Sequence, residues 1–554
     1  MDRTPASFIR RWFDPQYGAA DRLIPRWIFL RALGLIYFSA FYALIFQIRG
    51  LIGPDGLLPA NEYLEAIAKQ LGASRYWFAP TLLWIYSSNH MLSAICWIGM
   101  ISAVLVVLNL WPRATLFVCF VCFLSFVAAA QDFSGYQSDG MLLEAGFISL
   151  FFAPAGFWPG SGRNSPPSRA SLFLLQWEWF RIYFESGIVK LLSGDIEWRN
   201  FTAMDEYYQN GPLPTWIGWY VQHLPHWFHA FTVGATFALE LVIVWMLFLP
   251  RRWRIVCFFI ATAWQIPVIL TANYTFLNYL VLALGFLLLD DRFCLRVMLR
   301  RWRERLSPPA EVEAAAATPS SEPPTESESA SVESSLPASI VPRRPKLANF
   351  GAFKLALTSV VLIWIFYATT VQLIWMPFPH APFPVSPVAA LQPLRIANRY
   401  GLFAVMTRGR YEIEFQGSDD GQNWKTYPFA YKPQNPAEAP RIYAPYQPRF
   451  DWNLWFASLG TWRENIFVVS TEERLLAGAP DVLKLFAGNP FPNAPPKLVR
   501  AVIWQYWFTS MAEKRTTGMW WKRKLIGLYA PVLEREADGK VVAVEMPEPL
   551  PPRQ

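Results

Sequence analysis

Long apolar runs recur through the first 375 residues, and they constrain the fold more than any other feature of the sequence. A helix needs about 20 apolar residues to cross the hydrocarbon core of a bilayer. We interpret nine runs as membrane spans, near 27–48, 91–110, 114–130, 141–157, 171–192, 227–249, 255–272, 274–289 and 354–374. Only 16% of all residues are charged, below the roughly 25% of soluble proteins. The sequence therefore predicts a polytopic α-helical membrane bundle.

The basic residues of the loops predict the orientation of the bundle. Arginine-rich stretches fall in loops on one side, at 3–26, 163–169, 251–254, 292–305 and 343–346. The opposite loops hold only Arg49, Lys69, Arg75 and Arg199. Cytoplasmic loops carry the excess of Lys and Arg, so we expect a cytoplasmic N-terminus and an exported chain after about residue 375. The net charge of +8 is thus explained by basic loops that lie next to membrane lipid. We therefore expect no nucleic-acid partner.

Composition divides the chain into four parts. Residues 1–305 form the bundle of eight spans, and residues 346–380 contain the ninth. Between them, 306–345 is rich in Pro, Ser, Ala and Glu and is expected to be a disordered cytoplasmic linker, because it has too few bulky apolar groups to fold. Residues 381–554 are expected to form an exported β-rich domain.

The exported domain contains a strong hairpin signal. Residues 408–433 alternate apolar and polar side chains on both sides of "GSDDGQ", in which Asp419, Asp420 and Gly421 form the turn. Further strands are expected in 440–470, which together with the hairpin suggests a β-sandwich-like unit. Short helices broken by prolines are expected in 474–508, and the aromatic and basic stretch 520–533 suits the domain core or a membrane surface.

Charged residues inside the predicted spans are the most informative candidates for function. Glu178, Arg181 and Glu185 are spaced i, i+3, i+7 and share one helical face, with Lys190 off that face near the exported end. Glu144 and Glu240 are further acids within spans, and either could pair with a cation of the fifth span. Buried charges in membranes are paired or line polar cavities. We therefore expect an intramembrane polar cluster that serves either as an ion-paired structural contact or as a site for transport, proton transfer or catalysis.

Other reactive residue types give weaker signals. Cys119 and Cys122 spell a redox motif but lie within an apolar run, where packing explains them better. Three histidines at 223, 226 and 229 are weak candidates for metal binding, with aromatic packing at a membrane edge as the alternative. The sequence contains no glycine-rich phosphate loop, HExxH motif or nucleophile elbow. We expect neither a cofactor nor a metal.

Several long motifs resemble the lipase maturation factor family. They include "YQSDGMLLEAGF" (136–147), "FRIYFESGIVKLLSGDIEWRNFTAMDEYYQNGPLPTWIGWY" (180–220), "TANYTFLN" (271–278) and "ANRYGLFAVMTRGRYEIEFQGSDDGQNWKTYPFAYKP" (397–433). "YQPRFDWNLWFASLG" (446–460) and "WWKRKLIGLY" (520–529) extend the resemblance towards the C-terminus. The resemblance implies a multipass, chaperone-like membrane factor that acts on secreted client proteins. Eukaryotic members reside in the endoplasmic reticulum membrane and assist secreted lipases, and the resemblance transfers no catalytic residues.

The source and the clients stay open at this point. The high content of Arg, Ala and Pro is typical of a bacterial protein, which would place the chain in the cytoplasmic membrane. Four aromatic residues of the exported domain are candidates for client contact, with core packing as the alternative: Trp424, Tyr446, Trp452 and Trp455. Arg449 and Asp451 are expected to form a structural pair.

A rival interpretation makes the protein an enzyme. "YFESGIVKLLSGDIEW" (183–198) is similar to the segment around the catalytic lysine of vitamin K-dependent carboxylases, with Lys190 in the position of the base. A lysine serves as a base when burial favours its neutral form, whereas the neighbouring acids Glu185 and Asp195 oppose that. Catalysis therefore stays open as the alternative, and a transporter or a polymer-binding protein are further possibilities.

Overall fold

The computed structural model describes residues 5–297, 346–551 and 553. The predicted linker 306–345 lies outside these residues. The described chain forms a helical N-terminal region, a long helix after residue 346, and a C-terminal region built around an antiparallel sheet.

Helices make up almost all regular structure of the N-terminal region. They are α1 (Pro5–Phe13), α2 (Leu23–Ile45), α3 (Ile48–Ile52), α4 (Ala60–Leu71), α5 (Arg75–Phe78), α6 (Asn89–Leu108), α7 (Pro112–Val127), α8 (Gln137–Phe152), α9 (Arg169–Leu192), α10 (Ile196–Arg199), α11 (Tyr207–Asn210), α12 (Trp216–Gln222), α13 (His226–Phe237), α14 (Arg251–Thr271), α15 (Leu277–Gly285), α16 (Asp291–Val297) and α17 (Lys346–Trp375). A π-helical turn (Ala238–Val242) and a 3-10 segment (Ile243–Phe248) continue α13 towards α14.

Each of the nine predicted spans coincides with a helix. Five of these helices are long and apolar enough to cross a membrane: Leu23–Ile45, Asn89–Leu108, His226–Phe248, Arg251–Thr271 and Gly351–Trp375. Pro112–Val127 and Leu277–Leu288 are apolar but shorter. The described chain is thus an integral membrane protein with a helical bundle, and the number of nine spans stays a prediction.

Close helix packing centres on α2, α6, α7 and α8. A side chain at Gly99 of α6 would collide with the ring of Phe41 on α2, so glycine lets the two helices approach. Phe41 and Tyr37 in turn pack edge-on against Phe123 of α7, with ring centroids 5.8 and 6.1 Å away. Small residues at helix contacts and dense aromatic packing are how membrane helices associate without a hydrophobic driving force.

The C-terminal region contains one six-stranded antiparallel sheet. Its strands are β1 (Arg410–Ser418), β2 (Lys425–Thr426), β3 (Leu498–Phe508), β4 (Trp521–Leu528), β5 (Val532–Arg535) and β6 (Val541–Glu545). They are arranged in the order β2-β1-β3-β5-β6, and β4 pairs with β3 next to β5. The accompanying helices are α18 (Ser386–Ala389), α19 (Arg449–Leu459), α20 (Ile466–Leu476), α21 (Pro480–Leu483) and α22 (Met511–Thr517).

The predicted hairpin is confirmed. Strands β1 and β2 pair with Gln416 opposite Thr426. Within the turn, Asp420 Oδ1 accepts hydrogen bonds from the amides of Gln422 (2.9 Å) and Asn423 (2.8 Å). These bonds to backbone N–H groups lower the pKa of Asp420.

Two other expectations for the C-terminal region are wrong. The strands expected in 440–470 are the helices α19 and α20, because Phe450, Leu454 and Ala457 follow helical spacing and are buried. The stretch 474–508, expected to hold short helices, does so only in its first part, with the end of α20 and α21; its last part is β3, whose Val499, Ala501 and Ile503 alternate into the core. Among the described residues the region therefore has a single sheet covered by helices, not a β-sandwich.

Candidate functional site

The loop 396–403, which leads into the sheet, is bound by buried charged side chains of the bundle. Arg181 of α9 forms ion pairs with Glu144 of α8 and with Glu185, the latter at 3.6 Å. Arg181 Nη1 donates to the carbonyl of Asn398 at 2.7 Å, and Glu144 Oε2 accepts from the Asn398 amide at 2.8 Å. Glu185 Oε2 accepts from the Tyr400 amide at 2.6 Å. The shared helical face predicted from spacing thus binds the backbone of the C-terminal region.

Two glutamines extend this contact on both sides. Gln137 at the start of α8 accepts from the Gly401 amide at 2.9 Å, and Gln372 near the end of α17 donates to the Ala397 carbonyl at 3.2 Å. Glu178, expected on the same face, is fully buried close by, and neither of its carboxylate oxygens has a hydrogen-bond partner within the described part of the chain.

Lys190 belongs to a separate group. Its Nζ lies 2.8 Å from Glu240 Oε2, 2.6 Å from Ser186 Oγ and 5.2 Å from the ring centroid of Trp198. Glu240 sits in the π-helical turn, and Gly187 lets that turn approach α9 closely, since a Cβ there would lie 2.9 Å from the Glu240 Cβ. An ammonium group that donates to a carboxylate and a hydroxyl has no lone pair to offer a substrate. This geometry is that of an ion pair.

A small cavity of about 110 Å³ adjoins this ion pair. Tyr183 and Gln265, which hydrogen-bond each other at 3.0 Å, line its wall together with Tyr400. The six charged residues predicted to form one cluster are therefore divided. Glu144, Arg181 and Glu185 hold the loop, Lys190 and Glu240 pair beside the cavity, and the carboxylate of Glu178 lies close by without a side-chain hydrogen bond to a described residue.

A third group of buried charges was not predicted from the sequence. Arg449, at the start of α19, donates from Nη1 and Nη2 to the two carboxylate oxygens of Asp139 on α8, at 2.7 and 2.8 Å. The guanidinium also donates to the carbonyl of Phe133 and lies 4.7 Å from the ring centroid of Phe126. Both side chains are buried. The only available signal was a lone acid in an apolar run and a lone Arg far along the chain.

The expected pair of Arg449 with Asp451 is wrong. Asp451 instead accepts hydrogen bonds from the amides of Tyr431 (3.2 Å) and Lys432 (3.1 Å), and so secures the chain that follows β2. Burial raises the pKa of Asp451 to about 6, against the opposing effect of those hydrogen bonds.

Two further side chains fasten loops of the bundle to the sheet region. Arg410, at the start of β1, is fully buried and donates to the carbonyls of Gln209 (2.8 Å) and Pro212 (3.1 Å). Asn273, between α14 and α15, accepts from the Tyr443 amide at 2.7 Å and donates to the Arg441 carbonyl at 2.8 Å. Backbone groups that would otherwise be buried without partners are satisfied across this interface.

The four aromatic candidates for client contact lie in different environments. Trp452 and Trp455 are buried between bundle and sheet, where Trp455 Nε1 donates to the Asn210 carbonyl at 3.0 Å. This placement corresponds to core packing and leaves neither indole on the surface. Tyr446 is half-buried against Tyr431, and Trp424 is half-buried beneath Arg500, 3.9 Å from its guanidinium carbon. Client contact by these residues stays a prediction.

The weak candidates for metal and redox chemistry have ordinary structural contacts. The His223 ring lies between the carbonyls of Trp219 and Thr509, and His226 pairs with Asp205 at 3.0 Å. His229 is buried. In residues 5–297, 346–551 and 553, no three His, Cys, Asp or Glu side chains gather as metal ligands would. Cys119 and Cys122 are buried free thiols.

Comparisons with known proteins cover both regions. The model of the lipase maturation factor transmembrane domain matches residues 24–296, and that of the lipase maturation factor C-terminal domain matches residues 396–531. Lipase maturation factor 1 of Bos taurus is 30% identical over 95% of this chain and 92% of its own length. The chain belongs to the lipase maturation factor family. Lipase maturation factor 2 of Gallus gallus is 31% identical, over 95% of this chain and 84% of its own length.

No solved structure matches this family member. The comparisons give no support to the carboxylase-like alternative, and the ion pair of Lys190 with Glu240 argues against a basic lysine. In this lipase maturation factor family chain, the loop-binding charges lie within the matched transmembrane domain, and the loop itself opens the matched C-terminal domain.

Proposed function

We propose that this protein is a multipass membrane maturation factor that assists the folding or assembly of secreted lipases on the non-cytoplasmic side of its membrane. The observation that carries the proposal is the extent of the similarity: a relative named for lipase maturation is 30% identical over 95% of the chain. Both the bundle and the sheet region are included, so the relation is not limited to a shared membrane anchor.

The buried contacts support a function that needs both regions together. Buried side chains join the bundle to the sheet region. Asp139 pairs with Arg449, and Glu144 and Arg181 bind the backbone of Asn398. Such an arrangement holds the sheet region at one position next to the ends of the helices. A factor that acts on newly exported chains requires a binding surface close to the membrane.

We place client contact at a groove of about 890 Å³ at that end of the bundle. One wall carries Trp77 and Phe78 of α5, which are 53% and 55% exposed, and the other carries Arg395 and Arg399. Both arginines are exposed, and neither guanidinium group forms a hydrogen bond or ion pair with another described residue. Exposed aromatic groups next to free cations offer both apolar contact and charge to an incompletely folded polypeptide.

The orientation and location follow the same proposal. The N-terminus faces the cytoplasm and the sheet region is exported, as the loop charges predict. The membrane is the cytoplasmic membrane in a bacterial source and the endoplasmic reticulum membrane in a eukaryotic one. The support is the alternation of basic loops along the nine predicted spans.

The test is co-expression with a secreted lipase from the same organism in cells that lack this chain. We expect the wild type to raise the specific activity of secreted lipase, and Trp77→Ala with Phe78→Ala to abolish most of that gain. The matched control is Trp158→Ala with Phe157→Ala, which removes exposed aromatic groups outside the groove. Lipase that reaches full activity without this chain would refute the function. Equal losses in both variants would refute the groove.

A further inference from the structure

A second large groove lies at the end of the bundle that carries the N-terminus. Its volume is about 1050 Å³, and it runs between α1, the last turn of α8 and the first half of α17. Its apolar wall is formed by Phe13, Leu150, Phe151, Leu355 and Ile363. We expect this wall to face the lipid acyl chains, because α17 is one of the helices long and apolar enough to span a membrane.

Three cations line the same groove from three different helices. They are Arg10 of α1, Arg113 of α7 and Lys354 of α17. Arg113 uses its Nε to donate to the Ala153 carbonyl at 2.8 Å. No other hydrogen bond or ion pair joins these three side chains to a described residue, so no carboxylate in the described part of the chain pairs with their charges.

The one acid among the described lining residues offsets only part of this positive charge. Asp14 lines the groove, but one of its carboxylate oxygens accepts from the Gln16 amide at 2.9 Å and begins a 3-10 turn. The cations therefore outnumber the acid by three to one among the described lining residues. A site with excess positive charge above an apolar wall is complementary to an anionic lipid, with its phosphate at the rim and its acyl chain below.

Helix α1 has the character of a helix that lies at the membrane surface. Phe8 is 59% exposed, while Trp12 packs edge-on against Phe173 of α9 with ring centroids 6.3 Å apart. Arg10 and Arg11 lie in its last turn. A short helix with exposed apolar and basic residues partitions into the headgroup layer. This places Arg10 at the depth of the lipid phosphates.

We propose that this groove binds one anionic phospholipid of the cytoplasmic leaflet, with its phosphate held by Arg10, Arg113 and Lys354. The site lies at the opposite end of the bundle from the proposed client groove and is independent of the maturation function. Bound lipid joins α1 to α17, two helices that are far apart in sequence. Each cation near an anionic headgroup strengthens binding about fivefold, so removing two weakens it about 25-fold.

The experiment uses the full chain in nanodiscs of phosphatidylcholine with a small fraction of phosphatidylglycerol. Native mass spectrometry after release counts the phosphatidylglycerol molecules retained per chain, across a titration of its mole fraction. The test variant is Arg10→Gln with Lys354→Gln. The matched control is Arg11→Gln with Arg252→Gln, which removes the same charge from exposed residues outside the groove.

We expect one retained phosphatidylglycerol on the wild type and on the control, and a roughly 25-fold higher half-saturation fraction for the test variant. A third variant, Ala356→Trp, keeps every charge but fills the groove, and it should also release the lipid. Equal weakening in the test and control pairs would show diffuse charge attraction and overturn the site. The site would also be overturned if Ala356→Trp retained phosphatidylglycerol or if the wild type retained none. Size-exclusion profiles confirm that each variant is folded.

Discussion

Replacing Asp139 by alanine should release α19 from the bundle. In the wild type the Asp139 carboxylate accepts two hydrogen bonds from Arg449, at 2.7 and 2.8 Å, and both groups are buried. At such distances the gross attraction is about 6 kcal/mol for an effective dielectric constant of roughly 20, and the cost of desolvation offsets much of it. Removing one partner leaves a buried, unpaired guanidinium, which costs about 3–5 kcal/mol.

Hydrogen exchange measured by mass spectrometry reports this loss directly. The amides of 449–459 exchange through local opening, and each 1.36 kcal/mol taken from the opening free energy raises the rate about tenfold. We therefore expect exchange in α19 to accelerate by about 10²–10⁴-fold in Asp139→Ala. In Asp139→Ala with Arg449→Met, much of the protection should return, because no buried charge is left without a partner.

The control is Arg408→Gln, which removes an arginine from an ion pair at the surface. Arg408 lies 3.4 Å from Glu197, and its side chain is 59% exposed. Exposed pairs contribute about 0–1 kcal/mol, so exchange in α19 should change by less than about fivefold. Unchanged exchange in Asp139→Ala would refute the assignment of a coupled buried pair. The assignment would also be refuted if the double variant lost as much protection in α19 as the two single variants lose together.

Three further predictions concern other buried groups. Lys190→Ala should lower the free energy of unfolding of the detergent-solubilised chain by about 3–5 kcal/mol, because it leaves Glu240 buried without a cation. Adding Glu240→Gln should restore part of that loss. An unchanged free energy of unfolding in Lys190→Ala would contradict the ion pair. Burial raises the pKa of Glu472 well above its ordinary value, so the folded state keeps a proton that the unfolded state loses as the pH rises. Glu472→Gln should therefore raise the unfolding temperature at pH 8 and leave it nearly unchanged at pH 4; equal effects at both values would contradict the shift. Finally, because Cys119 is a free thiol, unfolding curves with and without dithiothreitol should coincide, and a shift would indicate a disulfide.

The sequence predicted those parts of the site that depend on local spacing. The i, i+4 relation placed Arg181 and Glu185 on one face of α9, and Glu144 and Glu240 were recognised as possible partners of the cations in that helix. These inferences succeed because a helix fixes which side chains share a face, and because buried charges in a membrane require partners.

Contacts between distant segments could not be predicted from local spacing. Asp139 and Arg449 are 310 residues apart, and neither has a local pattern that names the other. The groups bound by Glu144 and Glu185 are backbone amides of Asn398 and Tyr400, which carry no residue-specific signal. The misassignment of α19 has a related cause. Its aromatic residues favour strands by intrinsic propensity, whereas packing against the sheet selects the helix.

The buried charges also determine how the maturation function can be tested. A chain cut after residue 380 would lose Arg449 and Asn398, leaving Asp139 and the group of Glu144, Arg181 and Glu185 without their partners in the C-terminal region. Asp139 would then lack its cation, and an unpaired charge is costly in a bundle, so the truncated bundle is expected to be unstable. Loss of activity in such a truncation would not distinguish a missing client surface from a damaged bundle. Substitutions of exposed residues in the proposed client groove, such as Trp77→Ala, leave the buried ion pairs intact. They are therefore the variants that can assign the function to a surface.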